Sequence, residues 1–192
     1  MLATALAVVA SAAAAAAQDD GGRDMVGGAG TEATGISSIQ DRSAGARFKL
    51  DALYINVYGL SYHPDRETAH RLHLDNEVNP GLGLHYELVN DARGITFAEA
   101  GAYRDSGENW AKFAGLGYQF KFGEHWRVGG AVAVVYSRTY NDGTAFIGMI
   151  PLITYDLGRV KLNAVYLPKI EHRNEVAAFG FYISIPLGQW AR

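Results

Sequence analysis

The chain has 192 residues, 48% of them hydrophobic, with a net charge of −3 and no cysteine. That length supports one domain, the charge gives no electrostatic ground for nucleic-acid binding, and the absence of cysteine excludes disulfides, Cys-ligated metals and a lipoprotein anchor. Beyond the N-terminus no apolar run reaches the ~18 residues of a membrane-spanning helix, whereas 11 Tyr, 8 Phe and 3 Trp fit strands and interfacial aromatic belts.

Met1 to Ala17 (MLATALAVVASAAAAAA) is short, apolar and ends in small residues, as the signal peptide of an exported protein does, and cleavage is expected near Ala17. The usual basic n-region is missing, which leaves the true start codon open. Gln18 to about Arg47 is rich in Gly, Ser, Asp and Thr and reads as a flexible periplasmic lead-in with a short helix around Ser37 to Ala46. From residue 48 to 192 the pattern changes to strands.

Eight alternating segments follow, each near the ~9 to 11 residues that a tilted strand needs to cross a bilayer. The first, Leu50 to Tyr62, sets Leu53, Ile55 and Val57 against Tyr54, Asn56 and Tyr58, and a polar stretch from His63 to Asn79 comes next. Pro80 to Val89 alternates Leu82, Leu84, Tyr86 and Leu88 with Gly81, Gly83, His85 and Glu87, and Asn90-Asp91-Ala92-Arg93 turns the chain into Gly94 to Arg104. A tight polar loop carrying Asp105 and Ser106 leads to the fourth segment, where Trp110, Ala114, Leu116, Tyr118, Phe120 and Phe122 share one parity and Gly115, Gly117, Gln119 and Lys121 the other. Arg127 to Thr139 is the fifth. Ala145 to Asp156, interrupted by Pro151, is the sixth, Val160 to Leu167 the seventh and Val176 to Leu187 the eighth.

An even strand number with both termini on one side is the signature of a single-chain outer-membrane β-barrel. Connections two, four and six are about four residues long, so the longer odd connections, with His63, Asp105 and Ser106, share the extracellular rim. His85, Glu87, Glu99, Gln119, Lys121, Lys161 and Asn163 fall inside, where eight strands leave room for side chains or one slim ligand and polar groups must pair. Inward glycines at 81, 83, 101, 115 and 117 mark places of close approach and predict a narrow void for an acyl chain. Pro80, Pro151 and Pro168 each remove a ladder donor, predicting lateral gaps between strands one and two and between strands six and seven.

These residues resemble the lipid A palmitoyltransferase family of Gram-negative outer membranes over roughly Leu50 to Leu187. The motifs are Asn76-Glu77 before Pro80-Gly81 and Gly83, then Tyr103-Arg104-Asp105-Ser106 with Trp110, Gly115-Leu116-Gly117-Tyr118, Pro151-Leu152, and Tyr166-Leu167-Pro168. The resemblance implies an all-β, eight-stranded transmembrane barrel in the outer membrane, acting as a monomer without cofactor or metal. It would move a palmitoyl chain from the sn-1 position of a phospholipid to lipid A. It also implies a catalytic set of His63, Asp105 and Ser106, with His70 or His73 as alternative histidines. Lipids would pass through the gaps marked by Pro80, Pro151 and Pro168, and Gly117, with Gly115 beside it, would measure chain length. Such residue types suit ester chemistry, which needs an activated hydroxyl and charge stabilisation.

Two other readings stay open from the residues alone. One is a non-enzymatic outer-membrane barrel, structural or adhesive, with a plugged interior. The other is a soluble lipocalin-like carrier, whose apolar residues would face inward.

Overall fold

A computed structural model describes residues 50–171 and 173–188. The signal peptide, the lead-in and the helix expected around Ser37 to Ala46 lie outside the described residues. Eight antiparallel strands close on themselves in sequence order: β1 (Leu53–Tyr62), β2 (Val78–Asn90), β3 (Gly94–Arg104), β4 (Trp110–Phe122), β5 (Trp126–Tyr136), β6 (Phe146–Asp156), β7 (Lys161–Leu167) and β8 (Ala178–Pro186). Closure is made between β1 and β8, from Tyr54 opposite Pro186 to Tyr62 opposite Phe179. No helix among the described residues is long and apolar enough to cross a membrane.

Period-2 alternation decides which face each side chain takes. Leu82, Leu116, Phe120, Val132, Val134, Ile147 and Phe181 point outward, and Phe122 and Met149 are 71% and 72% exposed. The apolar girdle carries Trp110 at the outer end of β4 and Trp126 at the inner end of β5, both exposed. An oily band of this extent marks a surface meant for lipid or a partner, and its outward direction overturns the lipocalin-like reading.

Two features were not expected. In the polar stretch after β1, Asp65 accepts a hydrogen bond from the Thr68 backbone N–H at 3.0 Å and caps a short helix, α1 (Arg66–Arg71). Six residues are too few for a helical period to show in a sequence. The second is a register shift in β1 between Tyr58 and Leu60, against both β2 and β8. A bulge adds one residue and so reverses the alternation beyond it. Asn56 and Tyr58 face the interior below Gly59, and Ser61 and His63 turn inward above it, with His63 only 4% exposed.

The inner half of the barrel is filled. Asn56 accepts from Ser184 Oγ at 2.7 Å, Asn163 Nδ2 donates to Ser184 Oγ at 2.8 Å, Thr154 Oγ1 donates to Asn163 at 2.7 Å, and Gln119 donates to Thr154 at 2.8 Å. Toward the inner rim Lys161 pairs with Glu87 and Arg127 with Asp156. Lys121, expected inside, reaches the inner mouth, donating to Asn90 Oδ1 at 2.6 Å and to the Asp91 carbonyl. Phe97, Ile95, Ala131 and Leu152 pack between these polar layers.

Candidate active site

The outer half of the barrel encloses a cavity of about 120 Å³, lined mostly by apolar groups. Ser61, Asn79, Ser106 and Tyr140 surround its mouth, Val135, Phe146, Val165, Leu167 and Ala178 form walls, and Tyr58, Glu99 and Tyr182 lie at its base. One flank is open. Strands β6 and β7 share five residue pairs, from Asp156 opposite Lys161 to Leu152 opposite Val165. Above that point Phe146 to Pro151 are bonded to β5 alone and Tyr166 and Leu167 to β8 alone. The ladder ends at the residue before which Pro151 offers no N–H, and Pro168, which lines the cavity, follows the last residue of β7.

The β1–β2 seam behaves differently from the expectation for Pro80. A ladder step is missing at the bulge, yet pairing resumes with Leu60 opposite Val78, and the Ser61 N–H donates to the Glu77 carbonyl at 2.9 Å. No slot forms there, and Pro80 does not line the cavity.

The sequence placed Asp105 and Ser106 in a tight loop, and they sit between β3 and β4, both buried. The Asp105 carboxylate is held from three sides. Ser137 Oγ donates to Oδ2, while Thr139 Oγ1 and the Asn109 N–H each donate to Oδ1 at 2.9 Å. Three donors on one carboxylate lock the loop's shape. Next to it, Ser106 Oγ lies 3.3 Å from Ser61 Oγ. Asn79 donates to the Arg104 carbonyl at 3.0 Å and so anchors the end of β3 just before Asp105.

His63 stands two residues beyond Ser61 at the same rim. Its Nδ1 is buried without a partner, and among the described residues no hydrogen bond joins it to Asp105 or Ser106. Burial is the main cause that holds its pKa below the ordinary value of 6.5, so the imidazole is neutral at neutral pH. Tyr140, which lines the cavity, is pushed well above 10.0, chiefly by burial and then by its neighbours Tyr103 and Asp105. It therefore stays protonated. His70 hydrogen-bonds Asp75 at 2.9 Å on the exposed face of the loop, and His73 lies in an exposed turn with φ of 58°. Neither lines the cavity.

The glycines do something other than leave a void. A Cβ on Gly117 would meet the Phe97 ring, and one on Gly115 would meet Ala133 at 2.7 Å. Gly101 gives room to Tyr58, whose oxygen would be 3.0 Å from an added Cβ. Neither Gly115 nor Gly117 lines the cavity, where Gly59, Gly148 and Gly180 do. Sequence reasoning also passed over Ser61, Asn79, Ser137, Thr139 and Tyr140. The only signal for the pair that grips Asp105 was the Ser137-x-Thr139 spacing at the end of β5, which puts two hydroxyls on one face.

Among the described residues no group of His, Asp or Glu is placed to hold a metal ion. Ser106 lines the mouth of an apolar hollow that opens sideways, and the neutral imidazole of His63 and the fixed carboxylate of Asp105 are buried at the same rim without lining the hollow themselves. No curated protein matches the chain. The family model described as antimicrobial peptide resistance and lipid A acylation protein PagP matches residues 47–182. That span covers most of the chain and all of the barrel up to Tyr182, and the chain belongs to this family of lipid A acylation proteins.

Proposed function

We propose that the protein is an outer-membrane acyltransferase that moves an acyl chain from the sn-1 position of a phospholipid to a hydroxyl of lipid A. The observation that carries this reading is the continuity of three spaces. The β6–β7 slot opens the apolar cavity onto the exposed girdle, and Ser106 stands at the cavity's mouth. A barrel closed on every seam would keep a lipid tail out. With the girdle in the bilayer, the slot lets a tail slide in without leaving an apolar medium, and the ester at its head stops among His63, Asp105 and Ser106.

Neutral His63 takes the proton of the attacking lipid A hydroxyl as its oxygen bonds to the donor's ester carbonyl. The ester C–O bond then breaks, and the proton passes to the departing lysophospholipid oxygen. Ser106 Oγ and the protonated phenol of Tyr140 are donors near the carbonyl oxygen, where negative charge develops. Asp105 holds the loop that presents Ser106, through Ser137, Thr139 and Asn109. Contacts of this kind tighten only when substrate is bound.

The direct test is mass spectrometry of lipid A from cells with and without the protein. A species heavier by one acyl chain is expected only in cells that carry it. Identical lipid A profiles, with the folded barrel present in the outer membrane, would remove the transferase reading and leave a structural barrel.

A further inference from the structure

The base of the cavity is at odds with its walls. The hollow is apolar along β5 to β8, yet it ends on the phenols of Tyr58 and Tyr182 and on the carboxyl of Glu99. Glu99 comes from the inward face of β3 and is 7% exposed. Its two neighbours both approach Oε2, with Asn56 Nδ2 at 3.5 Å and His85 Nδ1 at 3.6 Å. Glu99 lines the cavity, and among the described residues no hydrogen bond reaches its Oε1.

Tyr58 closes off what lies deeper. Its ring centroid is 5.1 Å from that of Tyr182, 5.6 Å from Tyr103 and 5.9 Å from Phe113. Below it the Phe97 ring fills the niche at Gly117 and stacks on His85 at 4.6 Å. A tail entering from the mouth therefore ends against Glu99. A plain methyl terminus pressed there would strip water from a carboxyl oxygen and return no hydrogen bond, which is unfavourable. A terminus carrying a hydroxyl would supply the missing donor.

We propose that Glu99, with Tyr58 and Tyr182 beside it, is a recognition site for a hydrogen-bond donor at the far end of the ligand, so that the cavity takes an acyl chain with a hydroxyl near its terminus in preference to a plain alkyl chain. Strand geometry sets where that hydroxyl belongs. Glu99 lies six residues below Asp105, or ~16 Å along the axis of a barrel whose strands tilt by ~40°. An extended chain spans that distance with about twelve carbons. The inference rests on reading the hollow as an acyl site.

Full-length protein refolded in detergent is given lipid A and phosphatidylcholine donors whose sn-1 chain is dodecanoyl, ω-hydroxydodecanoyl or hexadecanoyl. Wild type is expected to transfer the ω-hydroxydodecanoyl chain at least five-fold faster than dodecanoyl, and Glu99→Leu to reverse that order. Glu99→Gln, which keeps an acceptor oxygen, is expected to retain most of the preference. Each variant is first checked for the heat-modifiable gel shift of a closed barrel, and a Glu99→Leu that does not show it is replaced by Glu99→Gln against Glu99→Ala. Equal or better use of plain chains by wild type, or a preference unmoved by Glu99→Leu, would overturn the inference. Absence of transfer from every donor would sink the function instead. In that case competition of free ω-hydroxydodecanoate and dodecanoate for the cavity, read as chemical-shift changes at Tyr58 and Tyr182, still decides the role of Glu99.

Discussion

The inner and outer halves of the barrel are built from the same eight strands and filled in opposite ways. In the inner half every strand pairs on both sides, and the interior is a chain of buried hydrogen bonds from Asn56 through Ser184, Asn163 and Thr154 to Gln119. In the outer half the β6–β7 ladder stops at Leu152 and the interior is an apolar hollow. The contrast separates stability from function. Satisfied polar networks fix one packing and make it expensive to disturb, whereas a void forgoes the packing contacts that would fill it and so lowers stability. The inner half is the clamp that allows the outer half to be open.

The sharpest way to test that separation is Ser106→Ala. If the outer rim holds the chemistry, acyl transfer falls by about 10²–10⁴-fold, the range for loss of a positioned proton-transfer or hydrogen-bonding group, while the urea midpoint in micelles stays at the wild-type value. Near-normal turnover by this variant would show that Ser106 is a loop residue and nothing more.

A pH profile reaches the same rim without mutation. Burial lowers the pKa of His63, so the folded protein disfavours the imidazolium, and if His63 is the base it is in its neutral form at pH 7. Loss of activity is therefore expected only as pH falls through that lowered value, below 6.5, with a slope of about tenfold per pH unit for one essential base. An inflection above 6.5 would mean that His63 is not the group being titrated, because its burial acts in the other direction.

Thr154→Val probes the inner half. It deletes the acceptor for Gln119 and the donor for Asn163, leaving two buried polar groups unpaired at about 1–3 kcal/mol each. The urea midpoint should drop by an amount equivalent to ~2 kcal/mol or more, with transfer per folded molecule unchanged. A variant that kept its stability and lost its activity would erase the division between halves.

How much of this could be read from the residues varies with the rule involved. β3 matched its expected bounds, Gly94 to Arg104, because strict alternation and the Asn90 to Arg93 turn both mark it. The oily girdle followed from the same period. His63 was placed at the right rim by loop length, but its turn into the barrel depends on the bulge at Gly59, which shifts the phase of the alternation only four residues before His63, too short a stretch for the new phase to be read. The glycines were misread for a related reason. Glycine shows that something comes close, and the sequence does not say whether that is a ligand or, as at Gly117, the Phe97 ring from the neighbouring strand. Glu99 was assigned to the interior with the other polar groups, and only the packing of Tyr58 reveals that it ends a cavity.

The two proline-marked seams provide the finest discrimination. Pro80 opens a strand pattern and Pro151 falls inside one, each removing one ladder donor, and β1 and β2 rejoin above Pro80 through Leu60 and the Ser61–Glu77 hydrogen bond, whereas β6 and β7 do not rejoin above Pro151. Pro151→Ala restores an N–H at the edge of the slot and lets the β6–β7 ladder extend by one step toward Tyr166. One ladder hydrogen bond is worth about 1 kcal/mol, so in lipid vesicles transfer should slow by roughly three- to five-fold at limiting donor, with little change in stability. Pro80→Ala adds its N–H to a seam that is already closed and should leave the rate unchanged. Equal slowing by both would show that lipid does not enter between β6 and β7 alone. No effect from either would move the path to the open mouth, where Tyr140 and Asn79 stand, and a bulky substitution there should then slow transfer instead.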